Sequence, residues 1–375
     1  MVNAFPLIEV AGGPEQRGVA YGRAARERIV AGIGHYGAQL RAAGLEGRRL
    51  SDLVHGFLPT IKAFDESMIA EMRGIARGAE VRFEDIVLLN ARTEILQLAQ
   101  RRALAASTAA EEGCTAVLAM PQTTTEGLLQ AQNWDWKTAC AQTAVVLHIR
   151  RDDGPDILTF TEAGGLARSG LNAAGIGLTA NYLQCDRDYR ELGVPLALIR
   201  RQVLAQQHLA LAWRVVQATK KSAANNMCVS HARGLAINFE CAPDETFMLE
   251  AEQGLLVHAN HFLSPVALAK LRDTGIAATP CTLYRHTRVR EALEPQRGQI
   301  DRTAIKNALF DDFGAPWSVC RPPRPGPDGV ETATVAMLIM RPGEGAMDIA
   351  PLPALGRRFT TYRLTPDRSA SRAAA

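Results

Sequence analysis

The pattern of this 375-residue chain predicts an α+β fold with segregated layers and mostly antiparallel sheet. Three observations carry that prediction. About a hundred residues at the start hold apolar positions at helical spacing, the periodicity switches to strand-turn-strand at Cys114, and the later segments come in blocks without regular βαβ alternation. With 47% hydrophobic content the chain can bury a large core. Length alone favours two domains, and one large layered domain is also allowed.

Residues 14–44 begin at Pro14-Glu15 and carry apolar or small positions at helical spacing, and 51–77 and 84–98 read likewise. Gly74 and Gly78 are expected to interrupt or end a helix, and Phe83-Glu84-Asp85 puts acids in a first turn. These helices would form an outer layer. Strands are expected at 114–120, 128–136, 144–150 and 157–162, with a turn at 122–127 and Asp152-Asp153-Gly154-Pro155 as a loop. Gly164-Gly165 and the passage 170–177 contain neither GxGxxG nor GxxxxGK[ST], so they read as glycines at strand bends rather than a phosphate loop. A helical stretch at 194–221, strands within 227–262, helices at 282–293 and 301–312, a proline-rich loop at 321–327 and a strand at 332–340 complete the pattern. The small, polar tail from Pro366 reads as disordered.

Composition excludes several function classes. Lys and Arg (42) nearly balance Asp and Glu (39) without long runs of one sign, so neither nucleic acid nor an anionic membrane is an expected partner. The seven cysteines (114, 140, 185, 228, 241, 281, 320) form no CxxC pair and are odd in number, which favours reduced thiols in a cytosolic protein. Neither a signal peptide nor an apolar span long enough for a membrane is visible, so the cytoplasm is the expected compartment. His258 and His261 lack a third ligand at a metal spacing and read as packing or hydrogen-bonding residues, so no metal is expected.

The chemistry concentrates at Glu111-Glu112-Gly113-Cys114-Thr115, where small residues and a cysteine directly precede a strand. Cleavage of the Gly113-Cys114 bond would place a thiol and an α-amine on one residue. An α-amino group titrates near ~8, so it can take the thiol proton near neutral pH. No histidine has a neighbourhood suggesting a papain-like Cys/His pair, and Thr115 reads as structural. Asp135 alternates with Trp134 and Trp136, so it would face away from both indoles; pairing of 114–120 with 128–136 would return it near Cys114.

Gly113-Cys114-Thr115, Gln132-Asn133-Trp134-Asp135-Trp136 and His258-Ala259-Asn260-His261-Phe262, in that order, resemble the acyl-CoA:6-aminopenicillanate acyltransferase family. Arg73-Gly74-Ile75-Ala76-Arg77-Gly78-Ala79, Asn90-Ala91-Arg92-Thr93-Glu94 and Cys320-Arg321 extend the resemblance. It implies a single N-terminal-nucleophile (Ntn) hydrolase domain, a four-layer αββα sandwich, cut by its own Cys114 into an α chain (1–113) and a β chain (114–375). It also implies that Asp135 holds the ammonium or orders the site, that Asn260 donates to the oxyanion, and that Arg321 lies close to the nucleophile. The expected reaction is acyl transfer at amide or thioester bonds through an acyl-enzyme, without a cofactor and with acyl-CoA as a possible substrate. An amine or water could accept the acyl group. A plain amide hydrolase shares all these residues, whereas a non-catalytic binding protein on the same fold would not need a cleavable Gly-Cys bond.

Overall fold

A computed structural model describes residues 3–102, 113–326 and 329–364. Glu111 and Glu112, which precede the proposed cleavage point, and the tail from Pro366 lie outside them. In chain order the strands are β1 (Leu7–Val10), β2 (Gly113–Ala119), β3 (Leu129–Lys137), β4 (Ala144–Ile149), β5 (Ile157–Glu162), β6 (Ser169–Asn172), β7 (Ile176–Tyr182), β8 (Asn225–His231), β9 (Leu235–Cys241), β10 (Thr246–Leu249), β11 (Leu255–His258), β12 (Arg324–Pro325), β13 (Glu331–Arg341), β14 (Ala346–Pro351) and β15 (Thr360–Arg363). One sheet runs β1-β4-β5-β6-β7-β8-β9-β10, the other β11-β2-β3-β13-β14-β15, with β12 beside β13. Every pairing of named strands is antiparallel except β1 with β4, where Leu7 meets Val146 in parallel register.

The sheets stack through β2 and β3 against β7. Helices Pro14–Ala24, Arg26–Ala42, Glu66–Ala79, Leu196–Leu204 and Leu209–Ala218 belong to the layer over the eight-stranded sheet, and Cys281–Leu293 and Arg302–Leu309 cover the other. The result is the αββα sandwich. One core joins the first helical layer to the space between the sheets, and a second, around Val117, Leu129, Val289, Ile305 and Ile339, fills the opposite outer gap. Among the described residues no helix is long and apolar enough to cross a membrane.

The layer between the sheets is partly polar, and its amides are paired across the gap. Gln130 Nε2 donates to Thr179 Oγ1 at 2.9 Å, Gln132 Nε2 to Ala180 O at 2.7 Å and to Asn181 Oδ1 at 2.8 Å, and Ser169 Oγ donates to Gln132 Oε1 at 2.7 Å. Buried amides are tolerated only when satisfied in this way, so they admit one relative position of the two sheets.

Several sequence expectations change. Gly74 and Gly78 neither interrupt nor end their helix at those points; both lie within Glu66–Ala79. Added Cβ atoms there would fall 2.3 Å from Glu15 O and 2.2 Å from Val19 O, while Gly18 and Gly22 meet Glu71 O and Ile75 O in the same way at 2.2 Å. The i, i+4 glycines of both helices form a seam where backbone touches backbone, the use of glycine for close approach rather than for termination. The stretch 14–44 is two helices that meet at Ala25, 51–77 falls into three, and 194–221 into two. Strand β7 emerges from the glycine-rich passage; a Cβ at Gly177 would meet Gln130 Oε1 at 2.7 Å, so this glycine gives the sheets room to approach rather than marking a bend.

Candidate active site

Cys114 and Asp135 come together because β2 and β3 pair as expected, with Gly113 opposite Asp135 and Cys114 opposite Trp134. Alternation along the strands then separates two environments. Cys114 and Trp134 face the interior between the sheets. Asp135 faces the other side, beneath Gly113.

On the Gly113 side, a Cβ at residue 113 would lie 2.5 Å from Asp135 Oδ2 and 2.7 Å from Arg321 Nη1, so only glycine fits above this pair. Arg321 Nε stands 3.3 Å from Asp135 Oδ2, and Arg321 Nη2 lies 3.0 Å from Cys281 Sγ. Thr334 Oγ1 accepts from the Arg321 backbone N–H and donates to Asp135 Oδ1, each at 2.7 Å. A bulge in β13, where Val335 is the extra residue between the partners of Asp135 and Trp134, sets Thr334 at this point. Arg321 is only 1% exposed; composition around the prolines suggests a surface loop, but the structure buries it under the Gly113-Cys114 junction.

Asn260 follows β11 and meets the nucleophile through its oxygen. The Cys114 backbone N–H donates to Asn260 Oδ1 at 2.7 Å, and Asn260 Nδ2 donates to Tyr182 O at 2.8 Å. Asn181, at the end of β7, anchors this turn by donating to the carbonyls of His258 and Ala259 at 2.7 and 2.9 Å. His258 pairs with buried Glu240 at 2.9 Å, and His261 Nδ1 lies 2.9 Å from Thr282 Oγ1. Both histidines are hydrogen-bonded packing residues. No group of three potential metal ligands occurs among the described residues.

Two arginines of the site were not anticipated from the sequence. Arg285, fully buried on Cys281–Leu293, donates through Nη1 to Cys114 O at 2.7 Å and Thr115 Oγ1 at 2.9 Å, and through Nη2 to Asn260 Oδ1 at 2.9 Å. Burial, with the Arg321 charge second, pulls its pKa below the usual arginine value. Arg168, between β5 and β6, lies over the Trp134 ring at 4.3 Å and places Nη2 3.5 Å from Cys114 Sγ. A cation beside sulfur favours thiolate. Neither residue belongs to a recognisable motif.

The other motif residues are architectural. Asn133 Nδ2 donates to Leu309 O and Val319 O, Trp136 Nε1 donates to Tyr36 Oη at 2.8 Å, and Asn90 ties its helix to the turn at Gly164 and Leu166. Arg92 pairs with Glu162.

Residues 122–349 match the model of the acyl-coenzyme A:6-aminopenicillanic acid acyl-transferase family. The chain belongs to that family. The matched stretch of the acyl-transferase family contains Asp135, Asn260 and Arg321 and begins after Cys114. A curated relative, the acyl-coenzyme A:6-aminopenicillanic-acid-acyltransferase 40 kDa form of Emericella nidulans, is 30% identical over 255 residues, 67% of this chain and 66% of that protein. Solved structures that resemble the chain include the N-acylethanolamine-hydrolyzing acid amidase ortholog of Caenorhabditis elegans (TM-score 0.43, 14% identity, 67% of this chain and 100% of that one). Another is penicillin V acylase from Agrobacterium tumefaciens (TM-score 0.45, 14% identity, 68% and 87%).

Proposed function

We propose that this family member is a single-domain precursor that cuts its own Gly113-Cys114 bond and then works as an N-terminal-cysteine enzyme on amide or thioester bonds. The observation that carries the reading is the arrangement of the scissile pair: Gly113 packed on Asp135 and Arg321, the Cys114 N–H held by Asn260 Oδ1 at 2.7 Å, and a cation 3.5 Å from the sulfur. In the first step Cys114 Sγ attacks the Gly113 carbonyl carbon. The C–S bond forms, the C–N bond breaks, and the thiol proton ends on the departing nitrogen. Water then opens the thioester, leaving a Gly113 carboxylate and a free Cys114 thiol. Neighbouring thiol and carbonyl make this a proximity-driven step.

In the second phase the new α-amine serves as base for its own thiol, with Asp135 within reach of the ammonium. The thiolate attacks a substrate acyl carbonyl. Asn260 Nδ2 carries two hydrogens, one engaged with Tyr182 O, so the other is available to a developing oxyanion. The acyl-enzyme passes to an amine or to water. No cofactor is required, and acyl-CoA would enter as a substrate. The cytoplasm remains the compartment proposed.

Intact-mass measurement and N-terminal sequencing of purified protein test the reading. The larger fragment should begin Cys-Thr-Ala-Val, and Cys114→Ala should stay uncut at the full 40.6 kDa. A fragment that begins elsewhere, or cleavage that survives Cys114→Ala, would overturn it.

A further inference from the structure

A cavity of about 370 Å³ lies among helices Pro14–Ala24, Glu66–Ala79 and Leu196–Leu204 and the loop joining β4 to β5, and none of the candidate active-site residues lines it. Its charged walls are Arg17, Arg151 and Arg201 with Asp65, Glu71 and Asp153. The signs balance in number but not in place. At the floor, Glu71 Oε2 accepts from Arg17 Nε at 2.7 Å and from Arg201 Nη2 at 3.0 Å, and Glu71 Oε1 accepts from Arg201 Nη1 at 3.1 Å. All three side chains are more than nine-tenths buried, and among the described residues no second carboxylate lies within ion-pair distance of either arginine. One positive charge is therefore left over below the surface. Arg17 Nη1 donates to Gly12 O at 3.3 Å, and its Nη2 makes no hydrogen bond to a described residue. Burial pulls the Arg201 pKa below the usual arginine value against the opposing charge of Glu71, and the like charges of Arg17 and Arg151 add to the fall.

At the rim the sign reverses. Asp153 pairs with Arg151 Nε at 3.0 Å, which leaves Asp65 as the rim carboxylate with no cation beside it among the described residues. Asp65 Oδ1 accepts from the Ser67 backbone N–H at 2.9 Å and from Ser67 Oγ at 2.6 Å, and Oδ2 makes no hydrogen bond to a described residue. A buried guanidinium without its counter-charge is costly to the fold, and a ligand that brings a negative group to the floor relieves that cost.

We propose that this cavity is a binding site, separate from the thiol, for a small zwitterion: an amino acid with an apolar side chain, its carboxylate on Arg17 and Arg201 and its ammonium toward Asp65. Met68, Pro155 and Leu211 give the side chain an apolar wall, and the volume lies within the range of small-molecule sites. A simple acid satisfies the floor but is repelled by Asp65, and a simple amine does the reverse. A phosphate dianion carries more charge than the floor leaves over. The proposal does not depend on the thiol-enzyme reading, since self-cleavage and acyl transfer use none of these residues.

Isothermal titration of the purified protein with three matched probes tests it: L-leucine, 4-methylpentanoate, which lacks only the amine, and 3-methylbutylamine, which lacks only the carboxylate. L-leucine should bind saturably, and each truncated probe roughly 10- to 100-fold more weakly, the loss expected for one charge-assisted contact. Arg17→Met leaves the Arg201–Glu71 pair in place and should weaken L-leucine by a similar factor. Asp65→Ser keeps an oxygen to cap helix Glu66–Ala79 while removing the charge, so it holds the fold should Arg17→Met not. It should weaken L-leucine by roughly 10-fold and leave 4-methylpentanoate bound at least as tightly as before. Cys114→Ala should bind L-leucine as wild type does. An acid or amine probe that binds as tightly as L-leucine, binding indifferent to Asp65→Ser, binding lost in Cys114→Ala, or no saturable binding of L-leucine to the wild-type protein would each overturn the proposal.

Discussion

Arg285 holds two parts of the site in one orientation. Its guanidinium fixes the Cys114 carbonyl and turns the Asn260 oxygen toward the Cys114 nitrogen, so that Asn260 Nδ2 points to Tyr182. Without it the amide of Asn260 loses a partner that distinguishes oxygen from nitrogen. Arg285→Met is therefore expected to slow self-cleavage by roughly 10- to 100-fold, as for loss of a charge-assisted hydrogen bond, with partial recovery in Arg285→Lys. The fraction of cut chain against time, read by intact mass, checks this, and an unchanged rate would remove Arg285 from the site. At this scale the sequence was informative where chemistry depends on neighbours along the chain. Cys114 and Asp135 sit on consecutive strands, and a simple pairing joins them. Arg285 reaches Cys114 across 171 positions, and nothing local distinguishes it from a surface arginine on a helix.

At the scale of elements, the seam between helices Pro14–Ala24 and Glu66–Ala79 makes a sharp prediction about glycine. Gly22→Ala would drive a Cβ to 2.2 Å from Ile75 O, whereas Gly34→Ala, in Arg26–Ala42, meets nothing within 4 Å. The first should cost about 1–3 kcal/mol through overpacking. The second should stabilise by up to about 1 kcal/mol through helix propensity. Denaturant melts of the two variants should move in opposite directions. A sequence pattern records that glycines are spaced by four, but not whether a second helix lies on them; that ambiguity is why Gly74 and Gly78 look like helix breakers in the sequence.

The corner formed by the turn after β11 and helix Cys281–Leu293 carries a pH dependence. Burial, followed by the charges of His258, His286 and Arg285, holds His261 down at about 3, and burial followed by His258 and Arg290 holds His286 at about 4, with Glu294 opposing. Unfolded imidazoles titrate near ~6.5, so between those values the unfolded chain binds more protons. Stability from these groups is present above about pH 6.5 and is lost as pH falls toward 4. A His261→Gln/His286→Gln variant should accordingly lose less Tm than wild type between about pH 7 and about pH 5. Equal losses would place the acid sensitivity elsewhere.

Over the whole molecule, cutting before Cys114 would divide the chain without dividing the core. The N-terminal piece supplies β1, paired with β4, and the fully buried Ile29, Phe57, Ile61, Met72, Ile75 and Ile86, which share one cluster with Phe160, Leu178 and Phe239 of the other piece. The two fragments should co-elute in native size exclusion and separate only in denaturant. Separation under native conditions would contradict a shared core. Block order and the switch at Cys114 made the layers legible in advance. Two edge strands did not stand out: β1 and β15 have four residues each, too short for a periodicity to show.

The paired amides between the sheets matter for where catalysis gets its precision. Cys114 and Asp135 ride on one sheet and Arg168 on the loop joining two strands of the other, so the distance from cation to sulfur is a distance between layers. Greasy faces could slide past each other by a fraction of a residue at little cost. Gln130 and Gln132, locked onto Thr179, Ala180 and Asn181, act as a key in a keyway and forbid that travel. Filling this layer with hydrocarbon would trade alignment for cohesion, and a sturdier sandwich would then hold its thiol and its arginine out of step.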